Sequence, residues 1–465
     1  MPKKYNVTTK ITPPRFTPIG KSGVVDFSED CTRCQACAKD ACIYDVYTNR
    51  NFDSKLLADS IDYLCKNCFR CIQTCKKGLL SKSINPEYQK MGDDYWTPDI
   101  ISRNWYQAET GKIPVSGAGY RGKFVDKGFD EMWTDMSEIV RPTRDGIHGR
   151  EYISTAIDLG RKPSVLKFDK EGTLISEAPQ ISTIPIPMIF NVLPFGALSE
   201  NVLLAMAQAA QELNTFMIIR EEELTPSLTP FTQWLTPQVS LKSGSLPEET
   251  IRKGRIIELL YEENCEKTIA SLKGINPDVI ISLKVPLNDS TTAIVENLTL
   301  KGAEIIHLYA SVNGNALNGT NPRFIKDLVR EVHLNLVEKS LRDEVTLLAS
   351  GGIAMAEHVA KVIICGADGV AIDLPLLISL ECQLCGKCQK GLSCPVEVEK
   401  IEPGWAVQRI MNLVGAWRSQ LIEVLGAMGL REVRRLRGDT GRAMFFQDLE
   451  RENFAPLFGR RRENE

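Results

Sequence analysis

Cysteine is the residue of this chain whose spacing points most directly to chemistry. The 465-residue sequence contains 14 cysteines, and all but Cys265 and Cys365 fall into three short runs of four. The runs are Cys31, Cys34, Cys37 and Cys42; Cys65, Cys68, Cys71 and Cys75; and Cys382, Cys385, Cys388 and Cys394. Thiolates grouped so tightly in a reducing compartment indicate metal ligands instead of disulfides. The two isolated cysteines are predicted to be packed thiols.

The first two runs have the spacing of iron–sulfur ligands. They read C-x2-C-x2-C-x4-C and C-x2-C-x2-C-x3-C. Three thiolates at steps of three can hold one face of an iron–sulfur cube, and in two-cluster bacterial ferredoxins the fourth cysteine binds the other cluster. We therefore predict two 4Fe-4S clusters, one on Cys31, Cys34, Cys37 and Cys75, the other on Cys65, Cys68, Cys71 and Cys42. The alternative is a pair of zinc sites, although zinc ligands usually come as separated C-x2-C pairs.

The bulk composition is that of an ordinary globular protein. The chain is 43% hydrophobic and 25% charged with a formal net charge of −3, which leaves room for two or three domains and gives no overall attraction for nucleic acid. The N-terminal MPKKYNVTTK has no apolar stretch behind its lysines, so we expect no secretory signal and a cytoplasmic protein. The most apolar stretch, 362–380, contains Asp368 and Asp373. We interpret it as buried core and expect no membrane span.

Strands alternating with helices must position the functional residues. Short apolar runs predict six strands, at 184–190, 215–219, 278–284, 304–310, 345–350 and 369–373. Helical patterns lie between some of them, at 199–213, 322–341 and 355–366. This alternation indicates parallel βα units, of which a barrel is the usual form.

Three segments carry a resemblance to a known family: residues 129–163, which include RPTRDGIHGRE, residues 194–199 (PFGALS) and residues 302–373. They resemble the FMN-binding domain of glutamate synthases, in the archaeal-type form with an N-terminal ferredoxin module. The resemblance runs from Cys31 to about Glu450 and implies an α/β fold, a (β/α)8 TIM-type barrel with an N-terminal α+β ferredoxin-like domain and C-terminal helices. The expected divisions are a two-cluster ferredoxin-like domain at 1–85, a connector at 86–180, the barrel at 181–380, and a third iron–sulfur loop with a helical, arginine-rich tail at 381–465.

The resemblance also implies a flavin site at the barrel mouth. Gly351 and Gly352 would hold the FMN phosphate through backbone N–H groups, and Lys284 would lie beside the flavin ring. A Gly-Gly pair is otherwise most often a turn, and a lysine at a strand end most often a solvated loop residue.

Several mouth loops depart from the family pattern. Asp373 and Leu374 stand where relatives have a glycine-threonine that contacts the phosphate, and a carboxylate there repels an anion. Residues 220–223 and 310–315 replace glycine-rich loops, and Lys242 is a displaced candidate for binding 2-oxoglutarate. These changes predict a barrel kept as a scaffold, with its substrate site abandoned or altered.

The third cysteine run resembles the three-cysteine motif that holds a 3Fe-4S cluster next to FMN in glutamate synthases. Cys382, Cys388 and Cys394 match that motif, and Cys385 adds a fourth thiolate, which can complete a 4Fe-4S cluster. We therefore predict three 4Fe-4S clusters per chain. The alternative is that one cysteine of this run is a bystander.

Outside the cysteine runs, the sequence gives weaker signals. The histidines are scattered (His148, His307, His333, His358), and no histidine–acid–nucleophile arrangement stands out. From Trp405 a helical pattern is interrupted by Gly415, Gly426 and Gly429 and leads into an arginine-rich end. The favoured interpretation is packing on the barrel, while docking of an acidic electron carrier is the alternative.

These features predict an iron–sulfur electron-transfer subunit of an oxidoreductase. Electrons would pass through the three clusters to or from redox partner subunits or ferredoxin, with the FMN site altered. The alternative is a ferredoxin-dependent glutamate synthase that reduces 2-iminoglutarate on FMN with ammonia from a separate glutaminase-like subunit. The altered loops favour the first, and Lys284, Gly351 and Gly352 keep the second open.

Overall fold

The structure is a computed structural model that describes residues 5–23, 30–44, 68–80, 83–113, 128–134, 152–163, 165–176, 180–195, 199–240, 246–318 and 323–459. The predictions that concern Cys65, Lys242 and His148 fall outside these residues, as do Arg460, Arg461 and Arg462 at the C-terminus.

Short antiparallel pairs flank a central sheet. Strand β1 (Ser22–Gly23) pairs with β2 (Ser83–Ile84), β3 (Met132–Thr134) with the late strand Ala443–Phe445, and β4 (Ile157–Gly160) with β5 (Ile181–Ile184). The central strands are β6 (Met188–Phe190), β7 (Met217–Arg220), β8 (Leu235–Val239), β9 (Ile256–Leu260), β10 (Ile280–Pro286), β11 (Ile305–Tyr309), β12 (Thr346–Ser350) and β13 (Gly369–Ile372). Residues Ala443–Phe445 form β14.

The eight central strands, β6 to β13, pair in parallel and in chain order, and β13 pairs with β6 to close a barrel. This confirms the (β/α)8 prediction. All six strands expected from apolar runs are present. The two strands that the apolar runs did not indicate are β8 and β9, both of which carry polar residues into the barrel interior.

Helices surround the barrel. They are α1 (Arg70–Thr74), α2 (Pro86–Gln89), α3 (Pro98–Thr110), α4 (Glu200–Glu212), α5 (Glu248–Lys253), α6 (Glu266–Ile275), α7 (Thr291–Leu300), α8 (Ile325–Glu338), α9 (Ala356–Ile364), α10 (Leu374–Ser379), α11 (Pro403–Ala427), α12 (Phe446–Leu449) and α13 (Ala455–Phe458). Local signals set their ends. Helix α3, for example, begins after Thr97, whose side chain accepts from the Ile100 N–H, and ends at Gly111 with φ 66°.

The long helix α11 runs unbroken through Gly415 and Gly426 and ends at Ala427, before Gly429. The predicted interruptions at Gly415 and Gly426 were wrong. At Gly415 the reason is a close approach of the N-terminal segment. A Cβ at position 415 would lie 2.8 Å from Thr9 Cγ2 and 3.1 Å from Val7 Cγ1. The glycine therefore leaves space for residues 5–20 to cross the helix.

The arginine-rich end forms ion pairs within the chain. Arg434 contacts Asp158 at 2.8 Å, Arg435 contacts Glu432 at 2.9 Å and Arg437 contacts Asp368 at 3.0 Å. These pairs support the packing interpretation over an arginine surface reserved for a partner. Among the described residues, no helix has the length and apolarity needed to cross a bilayer.

Candidate functional site

Parallel strands bring their carboxyl ends together at one mouth of the barrel. Lys284 lies in β10, Asn191 follows β6, and Asp373 follows β13. Lys284 is only 9% exposed, and its Nζ donates to Asn191 Oδ1 at 3.4 Å. The predicted flavin-side lysine is therefore a buried group of the mouth and not a solvated loop residue.

Below Lys284, a buried polar network centres on Glu258 of β9. Strand register sets Gln238 and Ser282 beside it on the neighbouring strands. Gln238 Nε2 donates to Glu258 Oε1 at 2.7 Å, and His307 Nδ1 lies 2.7 Å from Glu258 Oε2. Lys284 Nζ lies 3.6 Å from the same carboxylate. The partners satisfy a charge that would be costly to bury alone.

The protonation states in this network follow from its contacts. Burial opposes ionisation of Glu258, but the His307 ring, the Lys284 ammonium and the hydrogen bonds outweigh it and lower the pKa of this carboxyl. Burial lowers the pKa of His307, which is therefore neutral. His307 then donates through Nδ1 to Glu258 and accepts at Nε2 from the Ser350 hydroxyl, at 2.8 Å.

This acid–histidine–serine chain was not expected from the sequence. Glu258 and His307 are fully buried, and Ser350 is 1% exposed. The group therefore lies inside the barrel as a structural network. The only sequence signal for it is a charged residue in the middle of the apolar run IIELL.

At the ends of β12 and β13, where the phosphate was expected, the space around the glycine pair is filled by protein. The Gly352 N–H donates to the Val312 carbonyl at 3.2 Å, and the Gly352 carbonyl accepts from the Tyr95 hydroxyl. A Cβ at Gly351 would lie 2.5 Å from the Ser311 carbonyl oxygen. Sequence reasoning did not identify Tyr95 in this role.

Asp373 adds negative charge at the same end. It is 6% exposed and caps α10, accepting from the Leu374 N–H at 2.6 Å. Burial raises the pKa of Asp373 to about 6, against the opposing effects of that hydrogen bond, the Lys284 charge and Asn191. At neutral pH this carboxylate is charged.

These contacts do not fit an FMN phosphate at the ends of β12 and β13. The amide of Gly352 is already bonded, the space beside Gly351 is occupied by backbone, and the nearest acid would repel a phosphate. Of the three residues predicted to contact FMN, Lys284 lies at the barrel mouth, as the prediction of a lysine beside the flavin ring requires.

The cysteine runs share one backbone turn. In each, the residue after the second cysteine adopts left-handed backbone: Gln35 with φ 60°, Phe69 with φ 59° and Gly386 with φ 66°. A short helical turn follows, carrying Cys37 in 36–40, Cys71 in 70–74 and Cys388 in 388–390. Glycine adopts this conformation easily, but the residue before the second cysteine is also left-handed in the first and third runs, where it is Arg33 with φ 54° and Leu384 with φ 49°. Non-glycine residues rarely adopt this conformation, so its repetition indicates that the runs are equivalent.

The two N-terminal runs meet through the helical turns that carry Cys37 and Cys71. Burial raises the pKa of the Cys37 thiol to about 11, and the neighbouring thiols of Cys34 and Cys71 act in the same direction. The two runs therefore lie side by side, as a two-cluster module requires. The assignment of each fourth cysteine stays a prediction.

The third run follows α10 directly and packs on the barrel core. The Cys382 N–H donates to the Leu377 carbonyl at 3.1 Å, and the side chains of Cys382 and Cys394 contact the core. Burial raises the pKa of Cys382 to about 12, and the other three thiols of the run act in the same direction. The other three thiols of the run therefore lie near Cys382.

Within the described part of the chain, no three His, Cys, Asp or Glu side chains are placed to hold a single metal ion. A cluster makes a different demand, because each cysteine binds a different iron and the sulfurs stand further apart. The donor set of four cysteines per run suits a cluster.

The fold and these sites define a class: a (β/α)8-barrel protein with cysteine runs at both ends of the chain. Residues 248–431 match the sequence profile described as the conserved region in glutamate synthase. The archaeal-type glutamate synthase [NADPH] of Dehalococcoides mccartyi is 27% identical, covering 90% of this chain and 93% of that protein. The archaeal glutamate synthase [NADPH] of Methanocaldococcus jannaschii is 26% identical, covering 81% and 85%. The resemblance to the glutamate synthase family is thus confirmed.

Among solved structures, an oxidised active mutant of (S)-mandelate dehydrogenase aligns with 77% of this chain and 94% of that chain, at 11% identity and a TM-score of 0.43. The barrel assignment rests on the strand order of the chain itself.

Proposed function

We propose that this chain is an iron–sulfur electron-transfer subunit that relays electrons through three 4Fe-4S clusters to or from redox partner subunits or ferredoxin. The observation that carries the proposal is the turn after the second cysteine, which recurs at Gln35, Phe69 and Gly386. Because the third run has the turn of the two ferredoxin-like runs, Cys385 is assigned as a ligand and not as a bystander.

The barrel in this proposal is a scaffold. Its support is the phosphate end of the mouth, where Tyr95 and the loop after β11 occupy the surroundings of Gly351 and Gly352. In the barrel interior, protein side chains supply the hydrogen-bond partners of Glu258.

The test is the cofactor content of anaerobically purified protein, measured as iron, acid-labile sulfide and released flavin per chain. We expect about twelve iron atoms per chain, because three clusters hold four irons each, and no released flavin. About eight iron atoms would remove the third cluster from the proposal. Zinc in place of iron would refute the cluster chemistry altogether.

The alternative function is glutamate synthesis on FMN, and buried Lys284 at the mouth favours it. The relatives named above are glutamate synthases [NADPH], and a separate glutaminase-like subunit would supply ammonia. About one FMN per chain, together with glutamate formation from 2-oxoglutarate and ammonia, would replace our proposal with this one.

A further inference from the structure

The N-terminal segment 5–20 contacts the third cysteine run through the backbone and the side chain of Arg15. The Arg15 N–H donates to Glu381 Oε1 at 2.6 Å, and its Nε donates to Oε2 at 3.2 Å. Arg15 Nη2 donates to the Val396 carbonyl at 2.6 Å, and Nη1 to the Glu397 carbonyl at 3.4 Å. Glu381 directly precedes Cys382, and Val396 lies two residues after Cys394. Arg15 therefore joins the two ends of the cysteine loop.

The guanidinium is itself held in place. The Arg15 guanidinium carbon lies 4.8 Å from the centre of the Trp405 ring. The guanidinium carbon of Arg409 lies 5.0 Å from the centre of the same ring. Trp405 Nε1 donates to the Pro13 carbonyl at 2.9 Å. These contacts hold Arg15 and the residues just before it on helix α11.

The two ends that Arg15 joins are conformationally unusual. Glu381 has φ 72° and Glu397 has φ 41°, both left-handed and neither a glycine. Glu381 is also 5% exposed, so its carboxylate depends on Arg15 for a charge partner. Strained backbone and a buried acid persist only where the surroundings enforce them.

We propose that Arg15 is a positioning residue for the third cluster, an inference that rests on the proposed function. It closes the loop so that Cys382 and Cys394 face one cluster, and it neutralises Glu381 beside that cluster. An arginine suits both tasks because its planar fork binds a carboxylate and two carbonyls at once.

The charge makes a prediction that a purely structural role does not. Reduction adds an electron to the cluster, so a fixed cation nearby favours the reduced form and an unpaired carboxylate disfavours it. Arg15→Met keeps the backbone N–H that donates to Glu381 but removes its charge partner, and we expect the reduction potential of the third cluster to become more negative. Arg15→Met combined with Glu381→Gln removes both charges, and we expect the potential to return toward that of the unmodified protein.

The experiment is an EPR-monitored redox titration of the full chain, with iron and sulfide counted in each variant. Arg418→Met is the matched control. Arg418 lies 5.0 Å from the Tyr5 ring centre and donates to Thr155 Oγ1 at 3.1 Å, so it holds the same segment without touching the loop. An equal shift in Arg418→Met, or an unchanged potential in Arg15→Met with full iron content, would overturn the proposal.

A second variant covers the case in which Arg15→Met does not fold. Arg15→Lys keeps the charge but cannot join both loop ends. We expect it to keep the potential while losing third-cluster iron faster to a chelator than Arg418→Met does. Equal loss rates would count against the proposal.

Failure of the third cluster itself is distinguishable. Unmodified protein with about eight iron atoms would refute that part of the proposed function. In that case the role of Arg15 in closing the loop is tested by the rate at which Cys382 is alkylated in the protein as purified. We expect Arg15→Met to raise the rate about tenfold or more, because several hydrogen bonds to charged groups no longer oppose opening of the loop. Unchanged alkylation would overturn the role of Arg15.

Discussion

Asp373→Asn tests the electrostatics of the barrel mouth. Burial raises the pKa of this carboxyl from 3.8 to about 6, so its ionised form is less favourable in the folded protein than in the unfolded chain. Above about pH 6 the carboxyl is ionised in both states, and the folded state is destabilised by the full free energy of burying the charge. Below the pKa of the unfolded chain the carboxyl is protonated in both states, and this destabilisation disappears. Each unit of pKa is worth about 1.4 kcal/mol, so the cost is about 3 kcal/mol at pH 8 and roughly half of that at pH 5.

Asparagine removes this cost and keeps the cap of α10, because its side-chain oxygen can accept from the Leu374 N–H as the aspartate does. We therefore expect Asp373→Asn to be more stable than the unmodified protein, by a margin that grows as the pH rises from 5 to 8. The assay is thermal unfolding of both proteins at several pH values. Asp289→Asn, at a side chain that is 83% exposed, controls for the chemical change. A margin independent of pH, or one that shrinks as pH rises, would refute the reasoning.

Three further predictions concern the sites described above. Cys385→Ala should convert the third cluster to a three-iron form, seen as an oxidised 3Fe-4S EPR signal and a loss of about one iron per chain. Cys265→Ala is the control and should change neither the signal nor the iron content. An unaltered spectrum in Cys385→Ala would mean that Cys385 is not a ligand. Gly351→Ala should lower the free energy of unfolding by about 2 kcal/mol or more, since its Cβ would lie 2.5 Å from a carbonyl oxygen. Gly302→Ala is the control, because Gly302 has φ 92° and open space around it, so its loss of stability measures the cost of the backbone conformation alone. Equal losses in thermal unfolding would contradict the packing at Gly351. His307→Ala should cost about 3–5 kcal/mol, because it removes one hydrogen-bond partner of the buried Glu258 carboxylate and leaves a cavity in the barrel. Adding Glu258→Gln should recover part of that loss, and simple additivity of the two changes would contradict the network.

The fold was predictable where strands are uniformly apolar. Strand β12 is buried along its whole length and reads as an unbroken apolar run up to Ser350. Strand β9 carries Glu258, and β8 carries Pro237 and Gln238. These interior polar residues shorten the apolar pattern, and neither strand was predicted. Glu258 can be buried in the barrel because partners distant in the chain, such as His307, 49 residues later, lie beside it.

The cysteine runs could be recognised because their spacing is local in the sequence, and their role as cluster ligands stays a prediction. The closure of the phosphate end was predictable only in part. The altered loops indicated a changed mouth, but the group that contacts Gly352 is Tyr95, 257 residues away in the chain. Such a contact depends on tertiary packing, and nothing near Tyr95 in the sequence announces it. The same applies to Arg15 and Glu381.

The contact between Arg15 and the third cysteine loop has a consequence for biosynthesis. The partner of Arg15, Glu381, lies 366 residues further along the chain. At about 5–20 residues per second, the ribosome completes that distance only after roughly 20–70 s. Throughout this time Arg15 lacks its partners in this loop, although other residues of segment 5–20 already have theirs, such as Thr12, whose N–H donates to the Glu109 carbonyl. Closure of the cysteine loop by Arg15 is therefore a late event of synthesis. Under the proposed function, we expect the third run to take up its iron only after that closure.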